Sequence, residues 1–274
     1  MSRRSARSCS IGRVKIASTF KRTGAAIAAA LIAGAASADD GPVPGNPLIA
    51  IPAGPFVFGD DGGPANEHPR RVVEGTAFAI NRTEITNAQY QRFIDATGHR
   101  SSFHGGHHLL GLDDRPVVGV TFDDADAFCR HYGLLLPSER EYERAARGTE
   151  GARFPWGEAP PDGQRVNDGA ETCCAGEDGD GYPMTAPADS FAEGASPEGV
   201  LNLVGNVWEW TRDFYAPYEG EPDPATAGKF RVLRGGAWNS DPAHLTTTYR
   251  LAYDPDFRFA ANGGFRCVRS SPQS

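Results

Sequence analysis

The chain has 274 residues, 39% of them hydrophobic, and a net charge of −8. An acidic chain is a poor partner for nucleic acid or an anionic membrane surface and is compatible with bound cations. The length fits one large domain or two small ones, and no linker, composition break or internal repeat within residues 45–270 indicates a division.

The first 38 residues have the segment order of a secretory signal peptide. Residues 1–22 carry seven basic residues and no acid, an Ala-rich apolar run covers Gly24 to Ala35, and Ala36-Ser-Ala38 offers a small-x-small cleavage site. The apolar run is too short to span a bilayer. Cleavage near Ala38 predicts a periplasmic or secreted bacterial protein with 20 basic and 35 acidic residues, a net charge of −15. Arg3-Arg4 leaves Sec and twin-arginine export both open.

Four cysteines follow the signal, and an even number suits an oxidising compartment. Cys173 and Cys174 are adjacent, so their Cα atoms lie only about 3.8 Å apart, below the usual disulfide range. A bridge between Cys129 and Cys267 is therefore the simpler expectation. A strained vicinal disulfide, a loop-local role or a redox role of the adjacent pair stays open.

The first third of the domain predicts strands and then a helix. Residues 48–59 read as two short strands around a Pro-Gly turn, and residues 71–80 resume strand character. Thr86 and Gln89 form a capping box, which predicts a helix that ends near Gly98.

The loop at residues 99–114 is rich in histidine. His104-x-x-His107-His108 has spacing similar to that of metal ligands, but two intervening glycines make a flexible loop rather than a helical face. A solvated or substrate-facing loop is the favoured interpretation, with a metal site as the alternative.

Val117–Val120 predicts a short strand, and two further helices follow. Thr121 with Asp124 begins one of them. Ser138 with Glu141 begins the other, which Gly148 ends.

Residues 160–188 predict an irregular acidic loop. Asn167-Asp168 and Glu177–Tyr182 are rich in oxygen, and their glycines allow carbonyl groups to converge. Since Ca²⁺ takes about six to eight oxygen ligands, this loop is a candidate calcium site, although it lacks the spacing of an EF-hand. A solvated acidic loop is the alternative.

The segment Gly199–Trp210 concentrates the most chemistry in a dozen residues. Its carboxylate, Glu209, lies among apolar residues and would need a positive partner if buried, yet no Lys or Arg is closer in sequence than Arg212. A hard cation held by carboxylate, amide and backbone oxygens is one solution. The alternative is a packing element with Trp208 and Trp210 as core anchors. Residues 230–238 then predict a strand that enters a Gly-Gly turn.

Six motifs occur in series: Glu84-Ile-Thr-Asn-Ala-Gln-Tyr90, Leu136-Pro-Ser-Glu-Arg-Glu-Tyr142, Phe154-Pro-Trp-Gly157, Gly205-Asn-Val-Trp-Glu-Trp210, Arg234-Gly-Gly-Ala-Trp238 and Gly264-Phe-Arg-Cys267. In order and spacing this series resembles the formylglycine-generating enzyme family, also called sulfatase-modifying factors. The likeness covers residues 48–270, between a signal peptide (1–38) with a lead-in (39–47) and a tail (271–274).

The resemblance implies an α+β, C-type lectin-like fold in a single compact domain with little regular secondary structure. It also implies a family disulfide at Cys129 and Cys267 and two structural Ca²⁺ sites. The matching ligand positions are Asn202, Gly205, Val207 and Glu209 in one site, and Asn167, Asp168, Asp180 and Tyr182 in the other, with Asp168 and Tyr182 acting through their backbones.

One departure from the family pattern bears on function. The enzymes hold copper(I), a soft ion, with two cysteines five residues apart after the Gly-Gly turn. The matching positions here are Ser240 and Leu245, and no cysteine occurs between Cys174 and Cys267. Copper-dependent formylglycine formation is therefore not expected.

Two hypotheses of function remain, both with a monomer and no membrane span in the mature chain. The first is a divergent oxidoreductase that acts on a peptide or peptide-derived metabolite, similar to exported relatives that mature the siderophore pyoverdine. Its candidate catalytic residues are Ser240, His244, Trp208 and Arg250, in a pocket shared with Trp238 and Asn239, and with His244 or Asp241 as proton acceptor. The second is a non-catalytic module that binds a peptide or an exported enzyme. A histidine and carboxylate in an enclosed pocket would favour the enzyme.

Overall fold

The computed structural model describes residues 41–168, 180–258 and 260–270. The predicted signal peptide, the Cys173-Cys174 pair and the tail at residues 271–274 lie outside these ranges. The described residues all belong to one unit that spans Ala36–Ser274. None of their helices is long and apolar enough to cross a bilayer.

Regular structure in the described ranges consists of short elements separated by long irregular segments. The strands are β1 (Leu48–Ile51), β2 (Gly54–Phe58), β3 (Arg71–Gly75), β4 (Phe78–Asn81), β5 (Trp208–Phe214), β6 (Arg231–Arg234), β7 (Arg250–Tyr253), β8 (Gly263–Gly264) and β9 (Val268–Ser270). The helices are α1 (Asn87–Thr97), α2 (Phe122–His131) and α3 (Glu139–Arg147).

All three helices begin at the capping boxes that the sequence predicts. In each, the N-cap hydroxyl accepts the N3 backbone N–H, while the N3 side chain accepts the N-cap N–H. Helix α1 ends at Gly98, which adopts φ 71°, a left-handed conformation that glycine tolerates. Helix α3 has acids in its first turn and arginines in its last, which complements the helix dipole.

The strands form three sheets, in the orders β1-β4-β9, β2-β3 and β7-β6-β5-β8. Only β5 and β8 pair in parallel within the described chain. The predicted strand at residues 71–80 is divided, since β3 pairs with β2 whereas β4 pairs with β1 and β9.

The prediction of a strand at Val117–Val120 is wrong. These residues are buried, but none of them belongs to a strand, and Val117 N–H donates to the Ile85 carbonyl. The cause is Gly119, whose φ of 75° bends the chain away from an extended path.

The main core lies between α1, α2 and the four-stranded sheet and includes Trp208 and Trp210. A disulfide joins Cys129 of α2 to Cys267, just before β9, across 138 residues of sequence. The bridge links the middle of the domain to its C-terminal strand.

A buried ion cluster links the core to the segment that precedes β5. Arg266 donates from Nε to Glu209 Oε2 (2.7 Å) and from Nη2 to Glu209 Oε1 (2.8 Å). Tyr142 of α3 donates its hydroxyl to the same carboxylate at 3.2 Å. Arg266 also donates hydrogen bonds to backbone carbonyls, among them that of Leu201 at 2.9 Å. Arg266 is therefore the positive partner that Glu209 needs, 57 residues away in sequence.

A second carboxylate, Glu84, lies at the edge of this cluster and is fully buried. Its oxygens accept the side-chain amides of Asn202 (3.2 Å) and Asn206 (2.9 Å), and one lies 4.0 Å from Arg266. Burial raises the pKa of Glu84 to about 7; Arg266 lowers that pKa, and the charge of Glu209 raises it further.

We predict that replacing both disulfide cysteines, Cys129→Ala with Cys267→Ala, lowers the free energy of unfolding by roughly 2–4 kcal/mol. The measurement is denaturant unfolding with and without dithiothreitol. Reductant should destabilise the wild type and leave the double variant unchanged. Equal sensitivity of the two proteins would contradict the assignment.

We predict that Glu84 makes stability depend on pH. Its folded-state pKa of about 7 lies above its ordinary value, so the folded state holds the proton more tightly. The contribution of Glu84 to the free energy of unfolding is fully present below about pH 4.5. It is lost as the pH rises to about 7, and the loss is at most about 3 kcal/mol. Glu84→Gln should remove this slope in unfolding experiments between pH 4 and 8 with chelator present.

The control is Glu74→Gln, which replaces an exposed acid. This variant should keep the pH dependence of the wild type. A constant stability difference between Glu84→Gln and wild type over the whole range would contradict the prediction.

Candidate functional site

The turn that follows β6 requires glycine at two successive positions. Gly235 and Gly236 have φ of 96° and 76°. A side chain on Gly235 would come within 2.6 Å of the Tyr142 hydroxyl, and one on Gly236 within 2.6 Å of Leu245. The Gly-Gly pair thus lets the chain pass between α3 and the residues that match the copper positions of the family.

Those two positions, Ser240 and Leu245, serve the packing of the turn. Ser240 Oγ accepts the N–H of Ala237 at 2.9 Å, and Leu245 is fully buried against Val166 and Val204. A hydroxyl and an alkyl group do not fit a soft copper(I) ion. No copper chemistry is therefore derived for this site.

His244 lies in the 3₁₀ turn Pro242–His244, which Asp241 caps by accepting the N–H of Ala243. Its imidazole stacks on Tyr249 with ring centroids 4.2 Å apart. The Trp208 ring is 6.5 Å from His244 and 5.9 Å from Tyr249. The structure thus brings together Trp208 and His244, as the sequence predicts, and adds Tyr249.

His244 and Tyr249 border a cleft of about 490 Å³ between the loop at residues 60–67 and the turn at residues 243–249. Trp208 lies near these two rings but does not line the cleft. The volume suits a small ligand or a single side chain of a peptide. The polar and aromatic residues of its wall are Asp60, Glu67, Arg153, His244, Thr246, Thr248 and Tyr249.

Glu67 is the buried acid of this cleft, and the sequence reasoning missed it. It ends the 3₁₀ turn Ala65–Glu67 and is only 1% exposed. Gly63 passes directly over its carboxylate, since a side chain there would come within 2.4 Å of Oε2. Its other oxygen, Oε1, has no hydrogen-bond partner within the described ranges. The only sequence feature near Glu67 is the Gly-Gly-Pro at residues 62–64, and this pattern is typical of an ordinary loop.

The surroundings of Glu67 raise the pKa of its carboxyl group. Burial raises the pKa of Glu67, and the hydrogen bond with Thr248 and the charge of Arg234 offset this rise in part. The neighbouring carboxylates of Asp60 and Glu143 raise the pKa further. A carboxylate whose pKa is raised is a stronger base and can act as a proton acceptor.

Arg250, a candidate for the pocket, is placed elsewhere. It forms a two-point ion pair with Glu139 (Nε to Oε1 2.7 Å, Nη2 to Oε2 2.6 Å) and also donates to the Asn66 and Ala216 carbonyls. It packs over the Tyr218 ring at 4.1 Å. With its guanidinium engaged in this way, Arg250 acts as a structural residue.

Two other candidates for the pocket, Trp238 and Asn239, point to residues 261–262. Trp238 donates its indole N–H to the Ala261 carbonyl at 3.3 Å, and the side chains of Asn239 and Asn262 hydrogen-bond at 2.7 Å. They tie the Gly-Gly turn to the loop before β8. Trp238 and Asn239 do not line the cleft that His244 borders.

One of the two expected calcium sites has a donor set that fits a hard cation. Asn167 is buried, and its Nδ2 donates to the Met184 carbonyl (2.8 Å) and to Asn206 (3.2 Å). These bonds fix the amide so that Oδ1 is left buried without a partner within the described ranges. Asp180, whose Oδ1 accepts the Tyr182 N–H at 2.8 Å, is the carboxylate of the set. A buried amide oxygen without a partner is a ligand that Ca²⁺ can use. Residues 177–179 lie outside the described ranges.

The second expected calcium set, at Asn202, Gly205, Val207 and Glu209, does not fit a cation in this form. Both oxygens of Glu209 accept from Arg266, and Asn202 Nδ2 donates to Glu84 and to the Ala188 carbonyl. Arg266 already supplies the positive charge that a cation would bring.

The histidine loop shows no metal cluster. His107 Nδ1 accepts the backbone N–H groups of Leu109 and Leu110, which uses it to shape the loop. Among the described residues no group of three or more His, Cys, Asp or Glu side chains is arranged to hold a metal ion.

Comparisons with known proteins agree with the motif series and the fold. The family model described as the sulfatase-modifying factor enzyme 1-like domain matches residues 35–271. The formylglycine-generating enzyme of Thermomonospora curvata is 31% identical, over 81% of this chain and 92% of that protein. Hercynine oxygenase of Mycolicibacterium smegmatis is 31% identical over 74% of this chain, and the match spans only 56% of that protein.

Among solved structures, PvdO from Pseudomonas aeruginosa superposes with a TM-score of 0.67 at 24% identity, over 82% of this chain and 94% of that chain. This likeness supports the α+β, formylglycine-generating-enzyme fold in a single compact domain. The chain therefore belongs to the sulfatase-modifying factor family, as a divergent member with serine and leucine at the two positions of the copper-binding cysteines.

Proposed function

We propose that this chain is an exported, divergent oxidoreductase that acts on a peptide or peptide-derived substrate in the cleft of Glu67 and His244. The observation that carries the proposal is Glu67, a buried acid with an unpartnered oxygen in a cleft bordered by an imidazole. Relatives named as formylglycine-generating enzymes and hercynine oxygenases support oxidation as the reaction class.

Oxidation of a carbon–heteroatom bond removes two electrons and two protons from the substrate. Glu67 is suited to accept one proton, because burial raises the pKa of its carboxylate and so makes it a stronger base. Thr248 lines the same cleft and partly offsets this rise. His244 is the second group that can move a proton, and its stack on Tyr249 fixes its ring. Dioxygen from solution takes up the two electrons and the two protons and leaves as hydrogen peroxide.

We predict that the mature protein, in the presence of dioxygen, changes the mass of some members of a peptide library by loss of two hydrogens, as measured by mass spectrometry. Glu67→Gln should lower the rate by about 10²-fold or more, because it keeps the shape of the side chain but cannot accept the proton. Glu193→Gln, an exposed acid away from the cleft, is the matched control and should keep full activity.

Two results would oppose this proposal. Aldehyde formation on a sulfatase-derived cysteine peptide with added copper would show that the family reaction proceeds without the cysteine pair. Full activity of Glu67→Gln, with a melting temperature equal to that of wild type, would remove Glu67 from the mechanism.

A second candidate function is a non-catalytic module that binds a peptide or an exported protein. Leu245 favours it, since a fully buried alkyl group has replaced a reactive thiol while the scaffold is retained. Peptides that bind in the cleft without any change of mass, in the presence of oxygen, would select this candidate.

We also propose that Ca²⁺ binds at Asn167, Asp168, Asp180 and Tyr182 and serves stability. The ion would supply charge to the orphaned Asn167 oxygen and hold the Asp180–Tyr182 turn.

We predict that adding Ca²⁺ to chelator-treated protein raises its melting temperature. At a free Ca²⁺ concentration 100 times the dissociation constant, the free energy of unfolding should rise by about 2.7 kcal/mol. Asp180→Ala should abolish this gain, whereas the surface control Glu193→Gln should keep it. An equal rise of the melting temperature with Ca²⁺ in Asp180→Ala would contradict the ligand assignment.

A further inference from the structure

We propose that the cleft receives a primary ammonium group at the end of an alkyl chain, such as that of a lysine side chain, with Glu67 as its acceptor. This inference rests on the proposed site but not on the proposed reaction, because the cleft can bind an ammonium group whether or not chemistry follows.

The unpartnered oxygen of Glu67 calls for a hydrogen-bond donor. An ionised carboxylate only accepts hydrogen bonds, and an ammonium group has three donors and no acceptor. A hydrogen bond between these two charged groups is about twice as strong as one between neutral groups. A carboxylate or carbonyl of a ligand would instead leave this buried oxygen unpaired, which is unfavourable.

The charge of the cleft also favours a cation. Asp60 and Glu67 belong to its wall, and Asp241 is close enough for its charge to act on Tyr249. The one arginine of the wall, Arg153, is exposed, with its guanidinium 5.5 Å from the Phe154 ring centroid. Water screens an exposed charge more than a buried one, so the field of Glu67 dominates inside the cleft.

The hydroxyl group of Tyr249 lies in the electrostatic field of Glu67. Burial raises the pKa of Tyr249, and the negative charge of Glu67 raises it further. Tyr249 therefore keeps its proton and presents a neutral ring to the ligand.

The aromatic border suits the rest of such a ligand. His244 and Tyr249 stack face to face at 4.2 Å, and Trp208 lies beside them. An alkyl chain can pack against these rings, and a cation within about 6 Å of a ring face is attracted by the ring electrons. The cleft of about 490 Å³ accommodates one long side chain.

The test is calorimetric titration of the mature protein with capped tripeptides that differ only in the central residue, placed between two glycines. The lysine peptide is the probe; norleucine keeps the alkyl chain without the charge, glutamate reverses the charge, and arginine tests whether a guanidinium serves equally. The lysine peptide should bind at least about tenfold more tightly than the norleucine and glutamate peptides.

Glu67→Gln should lower the affinity for the lysine peptide at least about tenfold, and Glu150→Gln, an exposed acid outside the cleft, should not. If Glu67→Gln does not fold, Tyr249→Leu serves as a second variant that keeps the carboxylate, and it should weaken the lysine peptide several-fold. Equal binding of lysine and norleucine, tighter binding of glutamate, or unchanged affinity in Glu67→Gln would each overturn the inference. These results are independent of turnover, so the proposed oxidation can fail while ammonium binding stands.

Discussion

The domain depends on one buried guanidinium. Arg266 neutralises Glu209 and donates to carbonyls at the end of β4 and in the segment before β5, so it joins parts of the chain that are far apart in sequence. Loss of one partner from a fully buried pair leaves an uncompensated charge, which typically costs about 3–5 kcal/mol. Since Trp208 begins β5 next to Glu209, the same ion pair holds the strand that places Trp208 near His244 and Tyr249, two residues of the cleft wall.

Local structure could be read from the sequence wherever short-range chemistry decides it. The three helices follow from capping boxes, and the motif series identified the family and its fold. Long-range structure could not be read in this way. Glu209 finds its partner 57 residues along the chain, and the segment Val117–Val120 has strand composition but is bent by Gly119. Both outcomes depend on tertiary packing that no local pattern reports.

The candidate site was predicted in part. Trp208 and His244 do come together, with ring centroids 6.5 Å apart, but only His244 lines the cleft. Arg250 is instead held by Glu139, a partner 111 residues away in sequence. Glu67 was missed because it lies in a loop without periodicity, and only the fold shows that Gly63 and Thr248 enclose it. The cleft has Glu67 in the segment 60–67 and His244 in the turn 243–249, and neither is one of the two copper positions of the family.

The central claim is that function lies at Glu67 rather than at the positions of the missing cysteines. A crystal structure of the mature protein with the capped lysine peptide tests it most directly. The account predicts the ammonium nitrogen within hydrogen-bond distance of Glu67 and the alkyl chain along His244 and Tyr249. Peptide bound elsewhere, for example in the groove lined by Arg71 and Arg140 beside Phe58, with the Glu67 cleft filled only by water, would contradict it.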